Sequence, residues 1–421
     1  MRFLKIAFRN LLRAKRRNAL AGGTMAMGTA ALVLGGGLVD GIARQLTQNL
    51  VAVQTGHVQV VVRPETFVPQ NSPFDAYGQR HLPGAVALAE RIEREGKAVG
   101  VLEAVPYLYG RGSALAGNRS TLATIIGIDA ARDGAIARVH PPLAGRFLPV
   151  DDITATYISG AMARKLRLEV GDSVSFVVQT PQGAVNSIDA VVCGTFRKSA
   201  PWHDMTFYIP LAAAQSLFDW PGGGTNVKIT LRDGSPAAAA RMVPRIEALA
   251  AGIAVAPGDR LHVEPYDRAG RFAFSIVEAN RSALVVLSTF LFLAAAIGIV
   301  NAMLMSVHSR TREIGTMRAV GMRRRGVVRL FILEGVVLGV LAAASGLLIG
   351  GSLVLYYSAR GIAMNTFTLA WMAGGDRLFP VLEPASAAQA VVAIVAVSAL
   401  AAVYPAYAAS RLEPREALHH V

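Results

Sequence analysis

Charged residues are scarce in this sequence. Only 17% of its 421 residues are Asp, Glu, Lys or Arg, whereas 53% are hydrophobic, and the mean hydropathy is +0.41. Ordinary globular chains carry about 25% charged residues. A soluble protein of this size needs more polar surface than this composition supplies, and intrinsic disorder is excluded because it requires low hydrophobicity. The composition therefore predicts that much of the chain lies in lipid.

Cysteine and catalytic motifs are scarce as well. Cys193 is the only cysteine, which excludes a disulfide framework and a cysteine-based zinc site. The sequence contains neither G-x-S-x-G nor H-E-x-x-H, and its only Gly-Lys pair, Gly96-Lys97, is not part of a phosphate-binding loop. We therefore expect no catalytic site, no metal site and no cofactor in this chain.

Four long stretches contain no charged residue and no histidine. Each has 22 to 26 residues, and about 20 helical residues cross a hydrocarbon core of roughly 30 Å. An ion-coupled carrier is not expected, because ion pathways need charged side chains within the spans. The predicted transmembrane helices are Asn18–Val39, Ser282–Val307, Gly335–Ala359 and Ala385–Ser410.

The third span contains two Gly-x-x-x-Gly patterns. They begin at Gly335 and Gly346. Small residues at this spacing allow close helix packing, but the 41 glycines of the chain would also produce such patterns without a packing role.

The chain has a net charge of +14, and most of the excess basic residues lie in segments next to the apolar stretches. Residues 1–17 hold seven Lys or Arg and no acid, and residues 308–334 hold seven Arg against two Glu. A nucleic-acid-binding domain would concentrate this charge on a folded surface instead. The positive-inside rule places both segments in the cytoplasm. Residues 40–281 and the short connection 360–384 then lie outside, and the tail 411–421 returns to the cytoplasm.

Residues 1–17 also show a helical pattern. Leu4, Phe8 and Leu11 share one face, and basic residues occupy the opposite face. This pattern predicts an amphipathic helix that lies along the inner headgroup layer.

Residues 40–281 mix strand-like and helix-like patterns, which predicts an α+β domain between the first and second transmembrane helices. The predicted helices are Ala85–Glu95, Gly160–Leu168, Leu211–Phe218 and Ala237–Ala250. The predicted strands are His57–Arg63, Leu122–Ile128, Ser173–Gln179, Asp189–Phe196, Thr206–Ile209, Asn226–Leu231 and Leu261–Glu264.

The loop 308–334 carries the most specific motif. Its central run S-R-T-R-E-I-G-T-M-R-A-V-G-M covers residues 309–322 and reads as a short charged helix that ends at Gly321. Ile314 and Met317 fall on one helical face, where we expect them to enter a hydrophobic groove on a partner. Arg and Glu around them would pair with charges at the rim of that groove.

This run resembles the coupling region of FtsX-like ABC transporter permeases, which include MacB-type and lipoprotein-releasing (Lol-type) members. The N-terminal run 7–13, the C-terminal pattern that begins at Tyr404-Pro405-Ala406, and the order of one span, a large domain and three spans are similar to the same family. The pattern from Ile158 to Phe196 resembles its periplasmic core domain. The resemblance implies two subdomains, with an insertion near residues 135–200.

The resemblance implies a permease that works with partner chains in a bacterial inner membrane. Two copies of a cytoplasmic ATPase would bind ATP and Mg²⁺, and a second permease subunit, identical or paralogous, would complete the complex. Both termini would be cytoplasmic and the large domain periplasmic. The residues implied to contact the ATPase are Arg310, Arg312, Glu313, Ile314, Gly315, Met317, Arg318 and Gly321.

Apolar residues in the first two spans are candidates for a substrate cavity, although ordinary packing or lipid contact would also explain them. Methionine suits irregular apolar ligands, and a cavity without ionisable groups favours acyl chains or other amphiphiles. These residues are Met25, Met27, Leu32, Leu34, Phe290 and Leu291.

Three functions remain open from the sequence. Lipoprotein release toward the outer membrane is the first, because the layout and the run Gly56–Val60 look Lol-like. Tripartite efflux of macrolides, peptides or siderophores is the second. Mechanotransmission to a periplasmic cell-wall hydrolase is the third. The expected partners also include membrane lipids and a periplasmic lipoprotein carrier or adaptor, but no nucleic acid.

Overall fold

The computed structural model describes Arg9 and residues 15–68, 80–180, 182–197, 201–373 and 375–411. The predicted interfacial helix at residues 1–17 and the tail beyond Arg411 fall almost wholly outside these residues. The described helices are α1 (Lys15–Asn49), α2 (Ala85–Gly96), α3 (Gly134–Val139), α4 (Gly160–Leu166), α5 (Leu211–Phe218), α6 (Pro236–Ala250), α7 (Tyr266–Ala269), α8 (Arg271–Ser309), α9 (Thr311–Ala319), α10 (Arg324–Arg360), α11 (Phe367–Ala373) and α12 (Pro384–Ser410).

The described strands are β1 (Val58–Pro64), β2 (Val101–Ala116), β3 (Arg119–Ile128), β4 (Pro142–Gly145), β5 (Ala155–Ser159), β6 (Ser173–Gln179), β7 (Val185–Phe196), β8 (Thr206–Pro210), β9 (Asn226–Leu231), β10 (Asp259–Pro265), β11 (Ile362–Ala363) and β12 (Arg377–Leu378). The chain forms two compact units. The helical unit comprises residues 1–42, 278–362 and 379–421, and the α+β unit comprises residues 43–277 and 363–378.

Four helices are long and apolar enough to cross a membrane: Ala19–Thr55, Arg271–Ser309, Arg324–Arg360 and Pro384–Ser410. They contain the four stretches predicted from the sequence except for Asn18, and three of them are much longer than predicted, with 37 to 39 residues. At about 1.5 Å per residue, 39 residues extend about 58 Å, nearly twice the hydrocarbon thickness. The charge-free stretches mark only the part of each helix that is suited to lipid. The helices are longer because backbone hydrogen bonding continues beyond the apolar residues into the water-exposed segments.

Small residues bring α10 close to two neighbouring helices. A Cβ atom on Gly335 would lie 2.6 Å from Cβ of Ala402 in α12. A Cβ atom on Gly346 would lie 2.5 Å from the carbonyl oxygen of Ala26 in α1. Such distances leave no room for a side chain, so both Gly-x-x-x-Gly patterns of the sequence are packing sites.

The α+β unit contains a ten-stranded sheet in the order β10-β1-β9-β2-β3-β8-β5-β7-β4, with β6 paired to β2 and β7. Its centre is β2, a strand of 16 residues. Residues 101–107 pair with β9, whereas residues 108–116 pair with β3 and residues 113–115 also with β6. One strand therefore belongs to both halves of the sheet.

Three groups of buried side chains pack on these halves. One group comes mainly from β1, β9, β10, α2, α6 and the first part of β2. The other two come from residues between Val105 and Trp220. The segment between the parallel neighbours β3 and β8 holds α3, β4, β5, α4, β6 and β7. The insertion near residues 135–200 stays a prediction.

The predicted α+β class is confirmed in this unit, and every predicted strand and helix corresponds to an observed one. Among the described residues, three strands of the ten-stranded sheet were missed, β2, β4 and β5, and so were the two-residue strands β11 and β12. β2 contains Pro106, Gly110 and Gly112, which are unfavourable in isolated strands. Its partners on both sides supply the hydrogen bonds that keep these residues extended.

Candidate functional site

The short helix α9 lies between the long helices α8 and α10 and is tied to α10 at its start. Arg310, the residue before α9, donates from Nε to Oε2 of Glu313 and from Nη1 to Oε1 of Glu334, each over 3.0 Å. Glu334 is 3% exposed. A buried carboxylate without a cation is costly, so Arg310 holds α9 against α10 and at the same time neutralises Glu334.

The apolar face of α9 is turned into the protein. Ile314 is fully buried in the core formed by α1, α8, α10 and α12, and Met317 packs against the same core. Gly315 is buried as well. Ile314 and Met317 do share a face, but the chain's own helices cover it. The contact of these two residues with a groove on a partner stays a prediction, and their packing in this chain speaks against it.

The exposed face of α9 is mostly polar and continues to Val320, the residue directly after the helix. Arg312, Thr316 and Val320 are exposed and follow one another at intervals of four residues, which places them on one side of a helix. Val320 is 84% exposed. Val320 was not predicted as a contact residue, although its spacing from Arg312 places it on the same helical side.

The end of α9 is fixed by two features. Gly321 adopts a φ of +103°, a left-handed conformation that favours glycine, and the amide of Met322 donates to the carbonyl of Met317. This pattern terminates a helix, so the predicted helix end at Gly321 is confirmed. Arg318 donates from Nη1 to the carbonyl oxygen of Ser410 over 3.2 Å, which joins α9 to the last turn of α12.

The predicted cavity residues differ in their exposure. Met25 and Leu32 are buried, and Met25 belongs to the core of the helical unit. Met27 and Phe290 are 73% and 67% exposed, whereas Leu34 and Leu291 are partly buried. Met25 is thus a packing residue in this chain, and a substrate contact stays a prediction for the exposed pair.

A second polar cluster lies in the α+β unit, where the chain leaves α1. A turn of π-helix at Leu50–Thr55 follows α1 directly. Nζ of Lys228 lies 2.6 Å from Oδ2 of Asp133 and 2.9 Å from the carbonyl oxygen of Ala52. Lys228 and Asp133 are both buried, and Tyr107 donates its hydroxyl to the same carboxylate.

This cluster connects four elements through two buried charges. Lys228 belongs to β9, Tyr107 to β2, Asp133 precedes α3, and Ala52 belongs to the π-helical turn. Burial raises the pKa of the nearby Glu103, and the Asp133 carboxylate raises this pKa further. This cluster could not be predicted from local patterns, because its members are far apart in the chain.

Among the described residues, no group of three or more His, Cys, Asp or Glu could hold a metal ion. Cys193 lies in β7, and its Sγ donates to the carbonyl of Thr156 over 3.2 Å. Burial raises the pKa of this thiol to about 11. It is therefore protonated at neutral pH and is a weak nucleophile.

Comparison with known families gives two matches. Residues 19–245 match the MacB-like periplasmic core domain, and residues 285–414 match the FtsX-like permease C-terminal region. The second match contains α9 and both of its anchors, Arg310–Glu334 and Arg318–Ser410.

Several curated proteins are similar to this chain. The macrolide export ATP-binding/permease protein MacB of Burkholderia pseudomallei is 25% identical over 248 residues, which cover 56% of this chain and 34% of that protein. MacB of Hyphomonas neptunium is 31% identical over 147 residues, 34% of this chain and 20% of that protein. The pyoverdine export protein PvdT of Pseudomonas fluorescens is 46% identical over 67 residues, 15% of this chain and 10% of that protein. The matches thus span about a third or less of these relatives.

Two solved structures are similar at low identity. The periplasmic region of MacB from Actinobacillus actinomycetemcomitans matches 52% of this chain and 94% of its own at 12% identity, with a TM-score of 0.36. The extracellular domain of the ABC-type transporter YknZ from Gram-positive bacteria matches 49% of this chain and 98% of its own at 16% identity, with a TM-score of 0.32.

Proposed function

Because this chain belongs to the FtsX/MacB-type ABC permeases, we propose that it is the membrane subunit of an ATP-driven exporter whose ATPase is a separate chain. In this proposal the arginine-rich end of the helical unit faces the cytoplasm and the α+β unit faces the periplasm. Two permease subunits, identical or paralogous, act with two ATPase subunits that bind ATP and Mg²⁺.

The observation that carries the proposal is that side-chain contacts connect α9 to two long helices. The helix is joined to α10 by the Arg310–Glu334 ion pair and to α12 by the Arg318–Ser410 hydrogen bond. A force applied to its exposed face is therefore delivered to two long helices. The exposed residues Arg312, Thr316 and Val320 replace Ile314 and Met317 as the proposed contact with the ATPase.

In this proposal, a displacement of α9 passes through α10 to α1. α10 packs on α1 at Gly346 and Gly350 without space for a side chain. α1 then continues as one helix to Asn49. We assign α1 the role of transmitting the displacement of α9 outward, since a close-packed helix pair transmits strain better than a loosely packed one.

The proposed substrate is an amphiphilic molecule with substantial apolar surface. The relatives named above are macrolide and pyoverdine exporters, which favours efflux of such molecules. Lipoprotein release and mechanotransmission find no specific support in these relatives and stay predictions, as do a periplasmic adaptor or lipoprotein carrier. Phe290, 67% exposed, remains a candidate substrate contact.

The ATPase contact is tested with Val320→Asp in a complex of the full chain with the co-expressed ATPase. A carboxylate in a desolvated interface costs several kcal/mol, so stimulated ATP hydrolysis should fall at least about tenfold, while the thermal stability of the permease stays unchanged. The matched control is Val185→Asp, which places the same change at a 75% exposed valine of the α+β unit. Full ATPase stimulation by the Val320→Asp chain would refute the assignment.

The substrate class is tested by photocrosslinking from position 290 in native membranes. Small amphiphiles trapped there and released on ATP addition support export. Lipoprotein adducts that disappear on ATP addition support lipoprotein release. If no adduct forms at position 290 and the α+β unit instead captures a cell-wall hydrolase, the chain is a mechanotransmitter and the export proposal fails.

A further inference from the structure

A cavity of about 420 Å³ opens between the first turns of α10 and the last turns of α12. This volume falls within the range of small-ligand pockets, which is roughly 300–1,000 Å³. Four of its lining residues are arginines: Arg324, Arg325, Arg329 and Arg411. Within the part of the chain that the structure describes, no carboxylate forms an ion pair with any of these four guanidinium groups.

The position of the arginines is unfavourable without an anion. Arg323 precedes α10, and Arg324 and Arg325 are its first two residues. The N-terminus of a helix carries partial positive charge, which repels cations and attracts anions. Three consecutive guanidinium groups at this point also repel one another. A bound anion in the cavity would compensate both effects.

The remaining wall of the cavity is amphipathic. Arg411 stacks its guanidinium over the ring of Tyr407, with 4.6 Å between Cζ and the ring centroid, and it donates to the hydroxyl of the same tyrosine. Tyr407 is 51% exposed. Tyrosines are enriched at the headgroup layer of a membrane.

The surface beyond the cavity is apolar. Leu400, Val403 and Tyr404 of α12 lie on the side of Tyr407 that leads away from the arginines, and they are 72%, 46% and 65% exposed. Two acyl chains would run along this surface while their headgroup occupies the cavity. A soluble anion would leave it uncovered.

We propose that this cavity binds the phosphodiester headgroup of an anionic phospholipid, with its acyl chains along α12. The lipid belongs to the membrane leaflet on the side of these arginines. The site is separate from the exposed face of α9, because none of the lining residues belongs to α9. It is nevertheless adjacent to the α9 anchor, since Ser410 lines the cavity and accepts the hydrogen bond of Arg318. A bound lipid would thus stabilise the last turn of α12, to which α9 is joined.

The site is tested by native mass spectrometry of the detergent-purified chain with phosphatidylglycerol or phosphatidylcholine. The native chain should retain phosphatidylglycerol selectively. In the triple variant Arg325→Gln, Arg329→Gln, Arg411→Gln, each lost cation should weaken binding about fivefold, and the three together roughly a hundredfold. The corresponding triple Lys variant should retain most of the binding, because the positive charge is kept.

Arg360→Gln is the matched control. Arg360 also lies 4.6 Å above a tyrosine ring, that of Tyr356, but at the opposite end of α10. It should leave phosphatidylglycerol retention unchanged. Equal retention of the two lipids by the native chain, or equal loss in the Arg360→Gln variant, would overturn the proposal.

Two further outcomes identify other occupants and also overturn it. Displacement of phosphatidylglycerol by millimolar glycerol 3-phosphate would mark a site for soluble phosphates. Unchanged lipid retention together with loss of ATPase binding in the triple Gln variant would mark a protein contact. The lipid measurement needs no ATPase, so its failure would leave the proposed function untouched.

Discussion

Nε2 of His140 lies 3.2 Å from Nδ1 of His203 in the core of the α+β unit, where both rings are almost completely buried. The hydroxyl of Tyr208 contacts the other ring nitrogen of His140 over 3.1 Å. Burial lowers the pKa of His140 well below its ordinary value and lowers the pKa of His203 to about 3. Both imidazoles are therefore neutral in the folded protein.

This pair predicts acid sensitivity of the α+β unit. An unfolded histidine takes up a proton below about pH 6.5, but folded His203 takes it up only near pH 3. The unfolded state therefore binds more protons in this window, and stability falls as the pH falls, by up to about 1.4 kcal/mol per pH unit and histidine. Pulse proteolysis in urea between pH 7 and 5 measures the slope.

The variant His203→Gln should reduce this slope, because glutamine cannot be protonated there. His262→Gln is the control, since His262 on β10 remains partly exposed to water. An identical slope in the native chain and in the His203→Gln variant would contradict the assignment.

The buried pair Lys228–Asp133 predicts a large loss of stability on removal of one partner. Lys228→Met leaves the Asp133 carboxylate buried without its cation, which costs about 3–5 kcal/mol. The second change Asp133→Asn should recover part of this loss, because it removes the uncompensated charge. Urea unfolding of the α+β unit measures both variants. Additive losses in the double variant would show that the two charges do not act as a pair.

The glycines of α10 predict a strict size limit at the contact with α1. Gly346→Ala places a methyl group 2.5 Å from the carbonyl oxygen of Ala26, and Gly350→Ala places one 2.7 Å from that of Ala30. Each change should cost roughly 1–3 kcal/mol through overpacking, measured as thermal unfolding in detergent. Gly28→Ala in α1 is the control, because no neighbouring atom lies within 4 Å of its Cβ position. Comparable losses at all three positions would argue against specific packing.

The proposed orientation predicts opposite labelling of two exposed positions. Cys193 should not react with maleimides at neutral pH, because its thiol is protonated and partly buried. Because Cys193 does not react, single cysteines can be introduced in the native chain. Val185→Cys should react from the periplasmic side and Val320→Cys only in inverted vesicles. The two valines are 75% and 84% exposed. Labelling of both positions from the same side would overturn the topology.

Local patterns predicted much of the α+β unit but not its central strand. β6 and β9 begin and end at the predicted residues, as does α5, because alternation of apolar residues and turn signals are local properties. β2 was missed because its extended conformation depends on β9, β3 and β6, which are contributed by distant parts of the chain.

The sequence by itself determined where lipid-compatible helices lie, which loop carries the arginine-rich motif, and which family the motif resembles. These properties depend on composition and spacing along one segment. The tertiary structure decided which face of that motif is free. Ile314 and Val320 are both apolar residues of the same short segment, yet Ile314 is buried and Val320 is exposed. Only the packing of α9 against the long helices distinguishes them, because burial depends on neighbours that the local pattern does not contain.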